Sequence, residues 1–165
     1  IGGMHIRDKD GVLAAMLICE TAAWHKTQGR TLLDALEDLY QKYGYYGEET
    51  LNLVMPGLEG MANMKAIMAA LRQTPPAEIA GTPVACQKDY QDGTARDTAT
   101  GAVTQMELVG SNVLAYDLAD GTTIVVRPSG TEPKIKVYLL TKGDSHADCQ
   151  SKVDRYRTWA EGLAR

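Results

Sequence analysis

Between residues 113 and 139 the chain runs through three short strand-like stretches, and this succession constrains the fold more than any other feature. Residues 113 to 118 and 122 to 126 flank Asp120-Gly121, a pair suited to a tight hairpin because glycine takes positive φ without strain. In the third stretch Ile135, Val137 and Leu139 alternate with Lys134, Lys136 and Tyr138, so one face is buried and the other meets solvent. The run from 84 to 90, after Gly81-Thr82-Pro83, adds a strand upstream. Downstream, Cys149, Val153, Tyr156, Ala160 and Leu163 recur at intervals of four and three, which predicts a helix over 145–163 with one buried face. These elements cover one another in an α+β arrangement: a small antiparallel sheet of about four strands with helices on one face.

The upstream half is helical. Helices are predicted over 11–28, ended by Gly29, and over 31–43, where Thr31 caps the start and Gly44 the end. They form a helical hairpin whose apolar stripe of Leu32, Leu36, Leu39 and Tyr43 needs cover. Residues 45 to 55 look extended and stop at Pro56-Gly57. A third helix follows over 58–73, with Met61, Met64, Met68 and Leu71 in one row that reads as core filling. The segment 91–111 is rich in Thr, Gly and Asp and is expected to be a long loop with a short strand at 106–109. The organisation is then 1–44, a connecting strand over 45–57, and a domain over 58–165.

Composition narrows the function. A formal net charge of −4 argues against broad nucleic-acid binding, which relies on a Lys/Arg patch. Cys19, Cys86 and Cys149 lack the spacing of a zinc site or a disulfide framework, and read as reduced, mostly buried cytosolic thiols. Neither they nor His5, His25 and His146 make a metal site. No apolar run is long enough for a membrane span, and no signal peptide is visible. A cytoplasmic protein is expected. Ile1-Gly2-Gly3 precedes the first methionine, so the start reads as cut from a longer chain.

The segment Arg127-Pro128-Ser129-Gly130-Thr131-Glu132-Pro133 carries the chemistry. Ser129 and Thr131 offer hydroxyls. Gly130 frees the backbone to aim successive N–H groups into one concavity. Arg127 offers a planar fork matched to phosphate oxygens, and Lys134 and Lys136 add charge. Glu132 must turn away from an anion or pair with a cation. A plain turn between two strands remains the competing account, since Pro, Ser and Gly are ordinary turn residues.

Followed by Lys134-Ile135-Lys136, this segment resembles the phosphate-binding loop of α-D-phosphohexomutases, the phosphoglucomutase/phosphomannomutase family. His5-Ile6-Arg7-Asp8-Lys9-Asp10-Gly11 resembles the end of the third domain of phosphoglucomutases, and Tyr43-Gly44-Tyr45-Tyr46 the start of the strand that follows it. The resemblance implies that 1–44 is a remnant of domain 3 and that 58–165 is the C-terminal, phosphate-binding domain of a four-domain phosphotransferase. Arg127, Ser129, Gly130 and Thr131 would hold the substrate phosphate that is not reacting, with His5, Arg7, Lys134 and Lys136 in support. Lys9 would reach the active site, although its sequence setting also suits a solvated helix start. The phosphoserine and the Mg²⁺ site of the parent would lie outside this chain, which would bind no cofactor itself and be inactive alone. The implied partners are a phosphosugar, with glucose favoured among the hexoses, and the remaining domains of the same polypeptide. A self-contained, non-catalytic anion-binding module is the alternative.

Overall fold

The computed structural model describes residues 10–164. In chain order they form α1 (Gly11–Thr27), α2 (Leu32–Tyr43), β1 (Tyr45–Val54), α3 (Gly60–Gln73), β2 (Glu78–Ile79), β3 (Thr82–Asp89), β4 (Thr94–Asp97), β5 (Val103–Gln105), β6 (Leu114–Leu118), β7 (Thr123–Pro128), β8 (Lys134–Gly143) and α4 (His146–Gly162). The class is α+β, as the sequence predicts. Two compact units divide between Gly44 and Tyr45.

In the first unit, the Asp10 carboxylate accepts the N–H groups of Val12 and Leu13, satisfying donors that α1 cannot satisfy itself. Thr31 and Asp34 form a reciprocal capping box at the start of α2. The Thr31 N–H bound to Asp34 holds that carboxyl below its ordinary value. Gly44, at φ 101°, ends α2. Neither helix fully buries a residue, and Val12, Met16, Trp24, Leu33 and Leu39 are exposed. Cys19 is exposed too, so of the three free thiols only Cys149 is buried and Cys86 is half-buried. The expectation of mostly buried cysteines fails at Cys19 because it lies off the inner row of Leu13 and Leu17.

In the second unit the sheet has eight strands in the order β1-β8-β7-β6-β3-β4-β5, with β2 paired to β3 off that path. About four were expected. The segment 45–57 supplies part of the difference, because β1 pairs with β8 over ten residues, from Tyr45↔Gly143 to Val54↔Lys134. The two-residue β2 beside β3 supplies another strand, and the last two come from 91–111, which forms the β4–β5 hairpin instead of a long loop. Its second strand is Val103–Gln105, not 106–109. These short strands expose most of their residues, so no apolar alternation announces them.

The core lies on one face of this sheet. Ile135, Val137 and Leu139 point there with Ile124, Val126, Leu114, Tyr116, Leu118 and Leu53. Met64, Met68 and Leu71 of α3 and Val153, Tyr156 and Ala160 of α4 join the same cluster. Each large apolar side chain so buried stabilises by about 1.5–3 kcal/mol. Met61, expected in the α3 row, is exposed; Gly60 begins the buried row instead. The Tyr156 hydroxyl donates to the Asp120 carboxylate at 2.6 Å, tying α4 to the β6–β7 hairpin. Among the described residues no helix is long and apolar enough to cross a membrane.

Candidate functional site

The ladder between β7 and β8 runs to Pro128↔Ile135, which confines their connection to residues 129–133. The Ser129 N–H donates to the Lys134 carbonyl at 2.9 Å, and the Lys134 N–H to the Glu132 carbonyl at 2.8 Å. Inside the loop, the N–H groups of Glu132 and Thr131 both point at Ser129 Oγ, at 3.3 and 3.5 Å. These are long bonds, since N–H···O distances seldom exceed about 3.2 Å. Two successive amides thus converge on one point, where they meet only a neutral hydroxyl. An anion's oxygen would bind them more tightly, through charge-assisted bonds.

Gly130 plays a different part from the one expected. Its φ is not positive, so the turn does not depend on glycine's conformational freedom. A Cβ there would meet no atom within 4 Å. Its bare backbone simply leaves the loop open on that side.

The positive charge sits beside the loop. Arg127 of β7 and Lys136 of β8 are cross-strand partners, so they share the sheet face opposite the helices. Asn52 of β1 is the next residue in that row, opposite Lys136. Like charges held directly opposite one another destabilise a sheet by a fraction of a kcal/mol (~0.2–1). Among the described residues neither Arg127 nor Lys136 forms an ion pair. Lys134 differs: its Nζ lies 2.5 Å from Glu132 Oε2. That bond holds the Glu132 carboxyl below its ordinary range and turns it onto the lysine. The loop therefore disposes of its one acid by pairing it, at the expense of Lys134 as a free cation.

Arg127, Ser129, Gly130, Thr131, Lys134 and Lys136 are thus brought into one neighbourhood by a single β-hairpin. His5, Arg7 and Lys9 lie outside the described residues. Sequence reasoning missed Asn52, whose place in the row depends on β1 joining the sheet. It also missed a cleft of about 490 Å³ on the helical face, lined by Leu71, Arg72, Asp89, Arg96, Leu114 and Tyr116 among others. There Arg72 Nε already pairs with Asp89 at 2.8 Å. Burial pushes the Tyr116 hydroxyl well above its ordinary value. This cleft lies on the face of the sheet opposite Arg127 and Lys136. Among the described residues no group of three or more His, Cys, Asp or Glu stands together as a metal site.

Residues 51–150 match the family model of the phosphoglucomutase/phosphomannomutase C-terminal domain. The phosphoglucomutase of Staphylococcus aureus strain bovine RF122 / ET3-1 is 38% identical over 149 residues, covering 90% of this chain and 27% of that protein. The phosphoglucomutase of strain MRSA252 is 36% identical over the same share of each chain. The chain thus spans 27% of the length of these relatives. Among solved structures, the phosphoglucomutase pp63/parafusin from Paramecium, in its open form, matches 97% of this chain and 28% of its own. The TM-score is 0.56 at 16% identity, which is agreement of fold. Loop, sheet and family model coincide on the same residues, and the chain belongs to the phosphoglucomutase/phosphomannomutase family, whose C-terminal domain it carries.

Proposed function

We propose that this chain is the C-terminal part of a phosphohexomutase and that its 129–133 loop clamps the non-reacting phosphate of a hexose phosphate. One observation carries the reading: the unpaired Arg127–Lys136 pair stands beside a loop whose amides converge on a single point. Arg127 and Lys136 would neutralise the phosphate, the amides of Thr131 and Glu132 would bond its oxygens, and the hydroxyls of Ser129 and Thr131 would add donors. Gly130 would leave the approach clear. Holding the remote phosphate positions the reacting hydroxyl at the other end of the sugar.

In the parent enzyme an enzyme-bound phosphoserine would pass its phosphoryl group to one sugar hydroxyl. The bisphosphate would turn round, and the other phosphoryl group would return to the serine. The sugar is interconverted between its 1-phosphate and 6-phosphate, and the enzyme ends phosphorylated as it began. Glucose phosphates are favoured by the phosphoglucomutase relatives. Mg²⁺, where bound, would offset charge on the transferring phosphoryl group. Its ligands would belong to the parts of the parent outside this chain. On this reading 1–44 belongs to domain 3, with Lys9, His5 and Arg7 reaching the sugar site, and 58–165 is the phosphate-binding domain. The division between Gly44 and Tyr45 supports the first of these bounds, while β1 ties 45–54 to the same sheet as the loop. The chain alone would bind phosphate without turnover, and the whole enzyme would work in the cytoplasm.

The test is a titration of the isotope-labelled chain with inorganic phosphate and then glucose 1-phosphate. The amide signals of 129–132 should move with both, and Arg127→Ala should abolish the movement. Signals that stay in place in the wild-type chain would return the loop to a plain turn.

A further inference from the structure

We propose that Gly60, outside the loop and on another element, is a positioning residue for it; this rests on the clamp reading above. Gly60 is the first residue of α3 and is buried. A Cβ at this position would lie 2.1 Å from the Met55 carbonyl oxygen, 3.1 Å from the Met55 carbonyl carbon and 3.0 Å from Pro133 Cβ. The first two contacts are with backbone, which cannot swing aside like the end of a side chain.

What they would displace is the anchor of the loop. The β1–β8 ladder ends at Val54↔Lys134. One step further on, the Met55 N–H donates to the Pro133 carbonyl at 2.8 Å. Met55 therefore faces two ways, with its carbonyl against Gly60 and its N–H on the last residue of the loop. Pro56 follows it and disfavours helical backbone at Met55, which limits how far that carbonyl can rotate clear. Nor can α3 retreat easily, because Met64, Met68 and Leu71 fix it in the core. A side chain at 60 would push Met55 and Pro133 together, and the loop amides with them. The contrast with Gly130, where a Cβ meets nothing, is direct. The glycine that sets the loop's position is at the helix start.

The experiment compares Gly60→Ala with Met68→Ala, which damages the same helix away from the loop, and with Arg127→Ala. Each is titrated with inorganic phosphate and followed at the 129–132 amides. Gly60→Ala should raise the phosphate Kd about tenfold, as expected for a binding group displaced by a fraction of an ångström. Met68→Ala should lower the melting temperature and leave Kd at its wild-type value. Wild-type affinity in Gly60→Ala, or equal loss in Met68→Ala, would overturn the positioning role while leaving the clamp intact. Absence of binding in the wild-type chain would instead overturn the clamp, and the positioning role with it. Should Gly60→Ala fail to fold, the wild-type chain still decides. Coupling is reciprocal, so saturating phosphate should slow hydrogen exchange at the Met55 amide severalfold, and unchanged exchange there overturns the inference.

Discussion

Two tight connections in this sheet look alike in sequence and behave differently. The β4–β5 turn reads Asp97-Thr98-Ala99-Thr100-Gly101-Ala102, and the β7–β8 loop reads Ser129-Gly130-Thr131-Glu132-Pro133. Both are rich in Gly and Thr and both contain an acid. In the first, Asp97 Oδ1 accepts the N–H and the hydroxyl of Thr100, each at 2.8 Å. The turn carries its own anion. In the second, the acid pairs with Lys134 and the inward amides reach only Ser129 Oγ. A turn that satisfies itself has no use for a ligand. One that sends its carboxylate elsewhere, beside two unpaired cations, is the one we propose as a phosphate site. Composition does not separate the two; the direction of a single carboxylate does.

The sharpest way to break this comparison is to give the second loop what the first has. Gly130→Asp places a carboxylate where nothing obstructs it. Phosphate titration should show binding lost by about a hundredfold or more, because like charges at one site cost several kcal/mol. Calorimetry should find the fold intact, and retained affinity would refute the contrast. Next in size is Arg127→Ala in the full-length enzyme. Losing a charge-assisted phosphate contact costs about 1.5–3 kcal/mol. Steady-state kinetics should therefore show kcat/KM falling by one to two orders of magnitude or thereabouts, with KM raised, and near-normal kinetics would sink the clamp. Asp97→Asn should do the reverse, lowering the melting temperature and leaving phosphate affinity unchanged.

The smallest effect concerns pH. Bonds from Thr100 to the charged form, its N–H above all, hold the Asp97 acid below its ordinary value. An acid depressed in the folded state contributes stability that is complete above its unfolded value of about 4. That contribution is lost as pH falls through the lower, folded value. Melting curves between neutral pH and the acid limb should converge for wild type and Asp97→Asn as the acid protonates. A constant gap between them would place the stabilisation elsewhere.

Local signals made much of the fold legible. Asp120-Gly121 marked the β6–β7 hairpin, Ile135, Val137 and Leu139 marked β8, and the row from Cys149 to Leu163 marked α4. Strands β4 and β5 were hidden because neither fully buries a residue, so neither needs an apolar period. The loop residues were legible because they are consecutive. Asn52, Met55 and Gly60 were not, since each joins the site only through pairing or packing with another element. Gly60 was the best concealed. It opens the row continued by Met64 and Met68, but a residue with no side chain adds nothing to a hydrophobic pattern.

Strand β8 has neighbours on both sides, β1 along ten pairs and β7 along six. A one-step slide of β8 would turn Ile135, Val137 and Leu139 to the outer face. Both neighbouring ladders and the whole core oppose that. The two ends of the loop are thus held by the interior of the domain, and a residue inserted into 129–133 has to be absorbed within the loop itself.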